Sequence, residues 1–275
     1  MDFNSQVIEE FRANGGRVGG PFEGGRLLLL TTTGARTGAR HTTPLGYLPD
    51  GVVRVLVIAS AGGSPKDPAW FRNLVADPRV TVESGAFKYE ADAVVLTGEE
   101  RDGAFARAVE ADPGWGEYEV RSGRTLPVVA LVPVAEGPPG GPQTPGAMLV
   151  AVHDMFRKEL ALIRKEVAAS GAGVGAQLRV NCLSLCQGLD NHHLGEDTMM
   201  FPPLEQAHPA LAPTLARLKD EHKVVKELLD ELRHVLDAGD SASLLVEVER
   251  LTAALEAHLD HEEERLLPLL DTFGL

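Results

Sequence analysis

Six residues in the second half of the chain have the types and spacing of metal ligands: His153, His192, Glu196, His222, His258 and Glu262. His192 and Glu196 are four apart, as are His258 and Glu262, so on a helix each pair projects from one face, one turn apart. Apolar residues accompany them: Phe156 and Leu160 after His153, Leu189 and Met199 around His192, Leu255 and Leu266 around His258. The stripe that carries the ligands is therefore the stripe that faces a core. Ionisable groups in a core are costly unless paired or bound to metal, and six of them converging require a partner. Four imidazoles and two carboxylates are too many for one tetrahedral zinc; they suit a dinuclear site with bridging carboxylates. Nitrogen and oxygen donors without a thiolate favour iron or manganese over copper(I). A single histidine is more often solvated or packed in a core, and His208 and His234 are read that way.

The elements that must position this set are helices. Four helical stretches, Ala147–Ala169, Ala176–Ala207, Ala210–Leu236 and Ser241–Leu270, are separated by Gly171–Gly175, by Pro209 and by Gly239-Asp240. Long helices with short breaks make an antiparallel four-helix bundle the economical arrangement over residues 147–275. Cys182 and Cys186 lie beside the ligand stripe on the second helix and read as small core residues.

These motifs, with Asn191-His-His-Leu-Gly-Glu-Asp-Thr-Met-Met-Phe-Pro-Pro-Leu204 and His258-Leu-Asp-His-Glu-Glu-Glu-Arg-Leu-Leu-Pro268 around them, resemble the hemerythrin family in its bacterial His-His-Glu cation-binding form. The resemblance implies two iron ions with an oxo or hydroxo bridge, Glu196 and Glu262 as bridging carboxylates, and the histidines as terminal ligands. One position departs from the pattern. Oxygen-carrying members have a second histidine four residues after the one on the third helix, and here that residue is Lys226. The missing ligand could open a coordination site, or a neighbour could fill it, with His193 and His261 as the candidates. The departure argues against simple oxygen carriage and leaves oxygen, nitric oxide or peroxide chemistry.

The first half has a different rhythm. An amphipathic helix at Asn4–Asn14 places Val7, Ile8 and Phe11 on one face. Leu27–Thr33, Thr43–Leu48, Val53–Ser60, Val80–Glu83, Phe87–Leu96 and Pro127–Val132 read as strands, with short helices at Ala69–Val75 and Glu99–Glu110. This pattern predicts an α+β domain over residues 1–135, built on a small barrel. The four prolines and four glycines of residues 136–146 support neither helix nor strand and read as a linker.

Within this half, Gly34–Leu45 is a glycine-punctuated basic loop between strands. Arg36 and Arg40, with nearby hydroxyls and backbone amides, could grip a phosphate or a carboxylate. The loop follows Phe11-Arg-Ala-Asn-Gly-Gly-Arg-Val-Gly-Gly20. It precedes Ile58-Ala-Ser-Ala-Gly-Gly63, Asp67-Pro-Ala-Trp-Phe-Arg-Asn-Leu74 and Arg124-Thr-Leu-Pro-Val-Val129. In this order the segments resemble the deazaflavin-dependent nitroreductase and quinone reductase family, whose members are split β-barrels. The resemblance implies binding of coenzyme F420, with FMN the weaker alternative. It implies that Arg36, Thr37 and Arg40 hold the phosphate and acidic tail. In many relatives the basic residue sits where His41 does, so His41 joins this set. Thr43, Pro44 and Leu45 would line the deazaflavin pocket, and Ala59, Ser60, Gly62 and Gly63 would offer amides near the ring. Ala69 and Trp70 would begin the closing helix, and Trp70 and Asn73 have packing as an equal reading. Tyr118, on a short helix, is the candidate proton donor or substrate contact, with a pocket wall as the plainer reading.

Composition sets outer bounds. A net charge of −14 over 275 residues argues against nucleic acid, whose binders need a basic face. No apolar run approaches the roughly 18–20 residues of a membrane span. Met1-Asp-Phe-Asn-Ser5 lacks the order of a signal peptide. Two cysteines make no disulfide scaffold. A cytoplasmic protein is expected, with a small-molecule electron acceptor, no nucleic-acid partner, and a homodimer left open. The leading expectation is a fused oxidoreductase. The alternatives are an independent reductase beside an oxygen-, nitric oxide- or iron-sensing or storage module, and a barrel that only sequesters its ligand.

Overall fold

The computed structural model describes residues 2–134, 140–170, 173–238 and 241–270. The chain divides into two compact units, Met1–Pro142 with Gly175–Val180, and Gln143–Val174 with Asn181–Leu275. Part of the expected linker, residues 136–139, lies outside the described residues, as do Gly171, Ala172, Gly239 and Asp240 at the expected helix breaks. Gly140 is described and exchanges two backbone hydrogen bonds with Lys88, at 2.8 and 3.0 Å.

The first unit is a curled antiparallel sheet of split-barrel type. Its strands are β1 Leu27–Thr33, β2 Arg40–Gly46, β3 Leu48–Pro49, β4 Val55–Ile58, β5 Arg79–Ser84, β6 Phe87–Val95 and β7 Val128–Pro133, in the order β2-β1-β5-β6-β7-β4-β3. Its helices are α1 Phe3–Ala13, α2 Ala69–Ala76, α3 Gly98–Ala111 and α4 Gly114–Ser122. Alternation along each strand sends neighbours to opposite faces. Leu28 and Leu30 join Val57, Val80, Val82, Val129 and Leu131 in one core, beneath Trp70 and Leu74 of α2. Leu27 and Leu29 face the other way, under Val7 and Phe11 of α1. Leu56, Ile58, Val128 and Ala130 pack against Ala104, Phe105 and Ala108 of α3. Both faces are covered, so Leu27–Leu30 is apolar without interruption. Asp2 caps α1 by accepting from the Ser5 amide at 2.9 Å.

The strands differ from expectation mainly at their ends. β2 starts at Arg40 rather than Thr43, because a tight turn closed by Gly34 N–H donating to Ala39 C=O at 2.7 Å carries the ladder out to Thr33↔Arg40. The expected strand Val53–Ser60 contracts to Val55–Ile58. Gly114–Ser122 forms a full helix, ended by Gly123 in the left-handed region at φ 65°.

The C-terminal part of the chain is a bundle of four long helices: α5 Pro145–Ala169, α6 Ala176–Gly195, α8 Ala212–Ala238 and α9 Ser241–Leu270. The second expected helix is not continuous. A π-helical turn, Glu196–Met200, follows α6 and leads into α7, Phe201–Ala207. Buried Leu149, Phe201, Leu204, Leu215, Leu218 and Leu266 form one end of the core. Among the described residues, no helix is long and apolar enough to cross a membrane.

Candidate functional site

All six expected metal ligands meet in the bundle core. Ligand atoms of His153, His192, Glu196 and Glu262 lie within 4.8 Å of one another, and those of His193, His222 and His258 form a second such group. The two carboxylates sit between the groups. Glu196 places Oε1 3.1 Å from His192 Nε2 and Oε2 3.5 Å from His222 Nε2. Glu262 Oε2 is 3.5 Å from His153 Nε2 and 3.7 Å from His258 Nε2. Ligand atoms about 2.0–2.2 Å from one ion lie roughly 3–3.5 Å from one another, so these separations leave room for an ion among them.

The helices explain how each side chain arrives. α5 supplies His153, α6 supplies His192 and His193, α8 supplies His222, and α9 supplies His258 and Glu262. His192 and His193 are about 100° apart around their helix, and they serve different groups. Glu196 opens the π turn, a feature that often marks functional sites in helices. His193 stacks on His222, with centroids 4.3 Å apart and planes at 10°.

His193 therefore joins the cluster that six residues were expected to form, and His261 does not. The His261 Nδ1 lies 3.1 Å from Glu221, away from both groups. Lys226 is an exposed residue whose Nζ is 3.8 Å from Asp190. The sequence signal for His193 was its place beside His192, but a test for one face of a helix counts only one of two adjacent residues.

Outside the ligands stands a layer of carboxylates. His153 Nδ1 is 2.8 Å from Glu263, His222 Nδ1 is 2.8 Å from Asp197, and His258 Nδ1 is 3.1 Å from Glu221. An ionised carboxylate only accepts, so each Nδ1 donates and leaves its Nε2 lone pair facing the centre. Burial would raise the Glu221 carboxyl, but hydrogen bonds from His258, His261 and Arg217 hold it below the usual range.

The interior of the cluster is electrostatically unfinished. Among the described residues, the Nε2 atoms of His153, His192, His193, His222 and His258 and both oxygens of Glu196 and Glu262 have no hydrogen-bond partner and are buried. The 3.1 Å approach of His192 Nε2 to Glu196 Oε1 does not make a hydrogen bond between them. Each orphaned atom costs about 1–3 kcal/mol. Nine of them amount to on the order of 10 kcal/mol or more, comparable to a domain's whole net stability. Burial, with the neighbouring imidazoles, pushes His192 down to about 3 and also pushes His193 down. Burial, with His258 beside it, lowers His222. Burial, reinforced by Glu262, raises Glu196. Imidazole nitrogens and carboxyl oxygens that converge without partners are a donor set for cations.

In the first unit the expected cofactor residues divide between the two faces of the sheet. Cross-strand partners share a face. His41 is opposite Thr32, Thr43 opposite Leu30 and Leu45 opposite Leu28, on the face of the Trp70 core. Arg40 and Pro44 lie on the other face, where the Arg40 guanidinium donates to Thr81 Oγ1 and Thr81 donates to Glu90 at 2.6 Å. Arg36 and Thr37 are exposed in the turn, and His41 Nε2 lies 3.0 Å from where a side chain on Gly34 would begin. Asn73 ties α2 to this corner, donating to Thr32 at 3.1 Å and accepting from the Ala35 amide at 3.1 Å. Trp70 is buried in the core, and Ala69 is exposed.

Ala59 is buried, Ser60 half-buried and Gly62 exposed. Ala61, Gly62 and Gly63 are all left-handed, at φ 47°, 62° and 81°. A side chain on Gly63 would meet Arg121 at 2.9 Å. This strained turn is held by Arg124, a role the sequence did not reveal. Its guanidinium donates to the carbonyls of Ala59 at 2.7 Å, Ser60 at 3.3 Å and Ser64 at 3.2 Å, and to Asp67 at 2.7 Å. The first bond of the turn runs from Gly63 N–H to Ser60 C=O at 2.9 Å, which leaves the Ala61 and Gly62 amides ahead of it. Tyr118 packs edge-on against Trp115 at 6.1 Å, beside the Leu56–Ile58 core rather than the Trp70 core.

Known proteins match each half. Residues 5–133 match the family described as F420H(2)-dependent quinone reductase, and residues 144–270 match the hemerythrin HHE cation binding domain. An F420H(2)-dependent quinone reductase of Mycobacterium tuberculosis (strain H37Rv) is 34% identical over 125 residues, covering 44% of this chain and 83% of that protein. A putative F420H(2)-dependent quinone reductase of Mycobacterium bovis shows the same identity and coverage. A solved F420-H2 dependent reductase is 36% identical, with a TM-score of 0.36, over 38% of this chain and 93% of that one.

Proposed function

The chain belongs over residues 5–133 to the F420H(2)-dependent quinone reductase family and carries a hemerythrin HHE domain over residues 144–270, and from that premise we propose a fused oxidoreductase. In this reading the sheet unit binds reduced coenzyme F420 and serves a quinone or nitro-type acceptor. The bundle holds two iron ions and serves oxygen, nitric oxide or peroxide. The observation that carries the metal half is the set of nine orphaned donor atoms on seven side chains. His153 and His192 would hold one ion, His193, His222 and His258 the other, and Glu196 and Glu262 both.

When bound, the deazaflavin supplies hydride chemistry and the iron pair supplies one-electron redox chemistry. The chain's own residues do the positioning. Arg36, Thr37 and His41 gather at one end of the hairpin and would take the anionic tail of the coenzyme. Arg124 fixes the Ala59–Gly63 turn, whose leading amides would offer donors to a ring carbonyl. Thr43 and Leu45 share the apolar face against which a ring would lie. The carboxylates behind His153, His222 and His258 fix the imidazoles with Nε2 inward, and burial excludes water from the ligand atoms.

Metal analysis and visible absorption of the purified chain, before and after anaerobic addition of reduced F420, test the reading. About two irons per chain, with absorption that bleaches on addition, is the expected result. Two irons that never respond would separate the bundle from the reductase and make it a sensor or store. No metal after growth in ample iron would remove the bundle's part of the proposal.

A further inference from the structure

The two metal positions are not equivalent in what stands behind them. Among the described residues, the position of His193, His222 and His258 contains no carboxylate of its own; it shares Glu196 and Glu262 with its neighbour. Two of its three imidazoles are backed by carboxylates, His222 by Asp197 and His258 by Glu221. Among the described residues, the position of His153 and His192 has one such partner, Glu263 behind His153. Two ferrous ions carry more positive charge than Glu196 and Glu262 neutralise, so charge in the surrounding layer bears directly on how tightly each ion is held.

Each outer carboxylate is itself tethered. Asp197 belongs to the π turn, one residue after Glu196, so the turn that aims a ligand also aims the partner of another ligand. Glu263 accepts from the Arg157 guanidinium at 2.8 Å and directly follows Glu262 on α9. Glu221 has the fullest set. Besides His258 it holds His261 at 3.1 Å and Arg217 at 2.9 Å, and it directly precedes the ligand His222. It links α8 to α9 across the three-imidazole position.

We propose that Glu221 and Asp197 are positioning residues for the metal position of His193, His222 and His258, and that Glu263 is the positioning residue for the other. Each fixes the Nδ1–H form and ring orientation of its histidine and adds negative charge next to one ion. The proposal rests on the two-metal reading of the bundle, and its test separates the two.

The test uses the full-length chain and anaerobic titration with Fe(II) against a competing chelator, which resolves two binding steps. Glu221→Gln and Asp197→Asn are expected to weaken one step by about 10- to 100-fold and to spare the other. Glu263→Gln should weaken the step those variants spare. His261→Ala, which removes a neighbour of Glu221 but no link to a ligand, should leave both steps unchanged. A second measurement needs no metal: ring nitrogen NMR of the metal-free protein should show His153, His222 and His258 protonated at Nδ1, with His258 losing that preference in Glu221→Gln. Three carboxamide variants with wild-type affinities, or an equal loss in both steps for each, would overturn the proposal, as would Nε2 protonation of these rings. A wild-type chain that binds fewer than two ions would count against the two-metal reading alone, and the NMR result would still decide the assignment of the carboxylates.

Discussion

His193 shows how much a single residue decides in this chain. Its ring lies within the second ligand group, stacked on His222, while the alternative, His261, is held by Glu221 outside it. His193→Ala should lower the metal content from two ions towards one, whereas His261→Ala should keep both, and elemental analysis of the two purified variants checks this. Cys186 makes a contrasting case. Burial, partly offset by Arg233, pushes its thiol from an ordinary value of 9.0 up to about 12. In the folded chain it should not react with a thiol reagent at pH 8, although both cysteines should react once the chain is unfolded. Because the folded form keeps its proton longer than the unfolded form, the thiol's contribution to stability is complete below pH 9 and is lost as the pH rises towards 12. Denaturant melts of the wild type and Cys186→Ala between those limits would show the difference.

At the scale of elements, periodicity made most of the architecture legible. The His-x-x-x-Glu pairs announced helices with an inward stripe, and the runs of leucine and valine announced strands. What the sequence concealed was local hydrogen bonding. Nothing in Glu196–Met200 distinguishes a π turn from a continuing α-helix, since both are built from the same residue types. Arg40 has a face only because β2 begins there rather than at Thr43, and the unbroken register then puts it with Thr42 and Pro44. Arg124 lies at the end of a motif, but its partners are about 60 residues earlier in the chain, and only the fold brings them together. Those bonds hold a turn that includes a non-glycine residue in the left-handed region, a conformation costing about 1–2 kcal/mol. Arg124→Ala is therefore expected to release the Ala59–Asp67 segment, seen as faster amide exchange there, and to weaken F420 binding about 10-fold or more. Wild-type exchange in that segment would show that the turn holds itself.

At the scale of the whole molecule, the seven clustered side chains fall between residues 153 and 262, all on helices that begin at or after Pro145. A chain starting at Gln143 should consequently retain two metals with the affinity of the full-length protein, which chelator competition would measure. If it does, any response of the iron to reduced F420 reports electron transfer between the halves rather than a shared fold. The π turn carries a last consequence, which concerns chain length. It accommodates one residue more than an α-helical turn, and beyond it Phe201 is fully buried and stacked on His222 at 5.6 Å. Deleting one residue from the turn would let the helix run straight on and rotate α7 by about 100°, carrying Phe201 out of the core and Asp197 away from its histidine. Here the number of residues is under as strict a constraint as their identity, so between relatives of this bundle a gap in this segment should be harder to tolerate than a substitution.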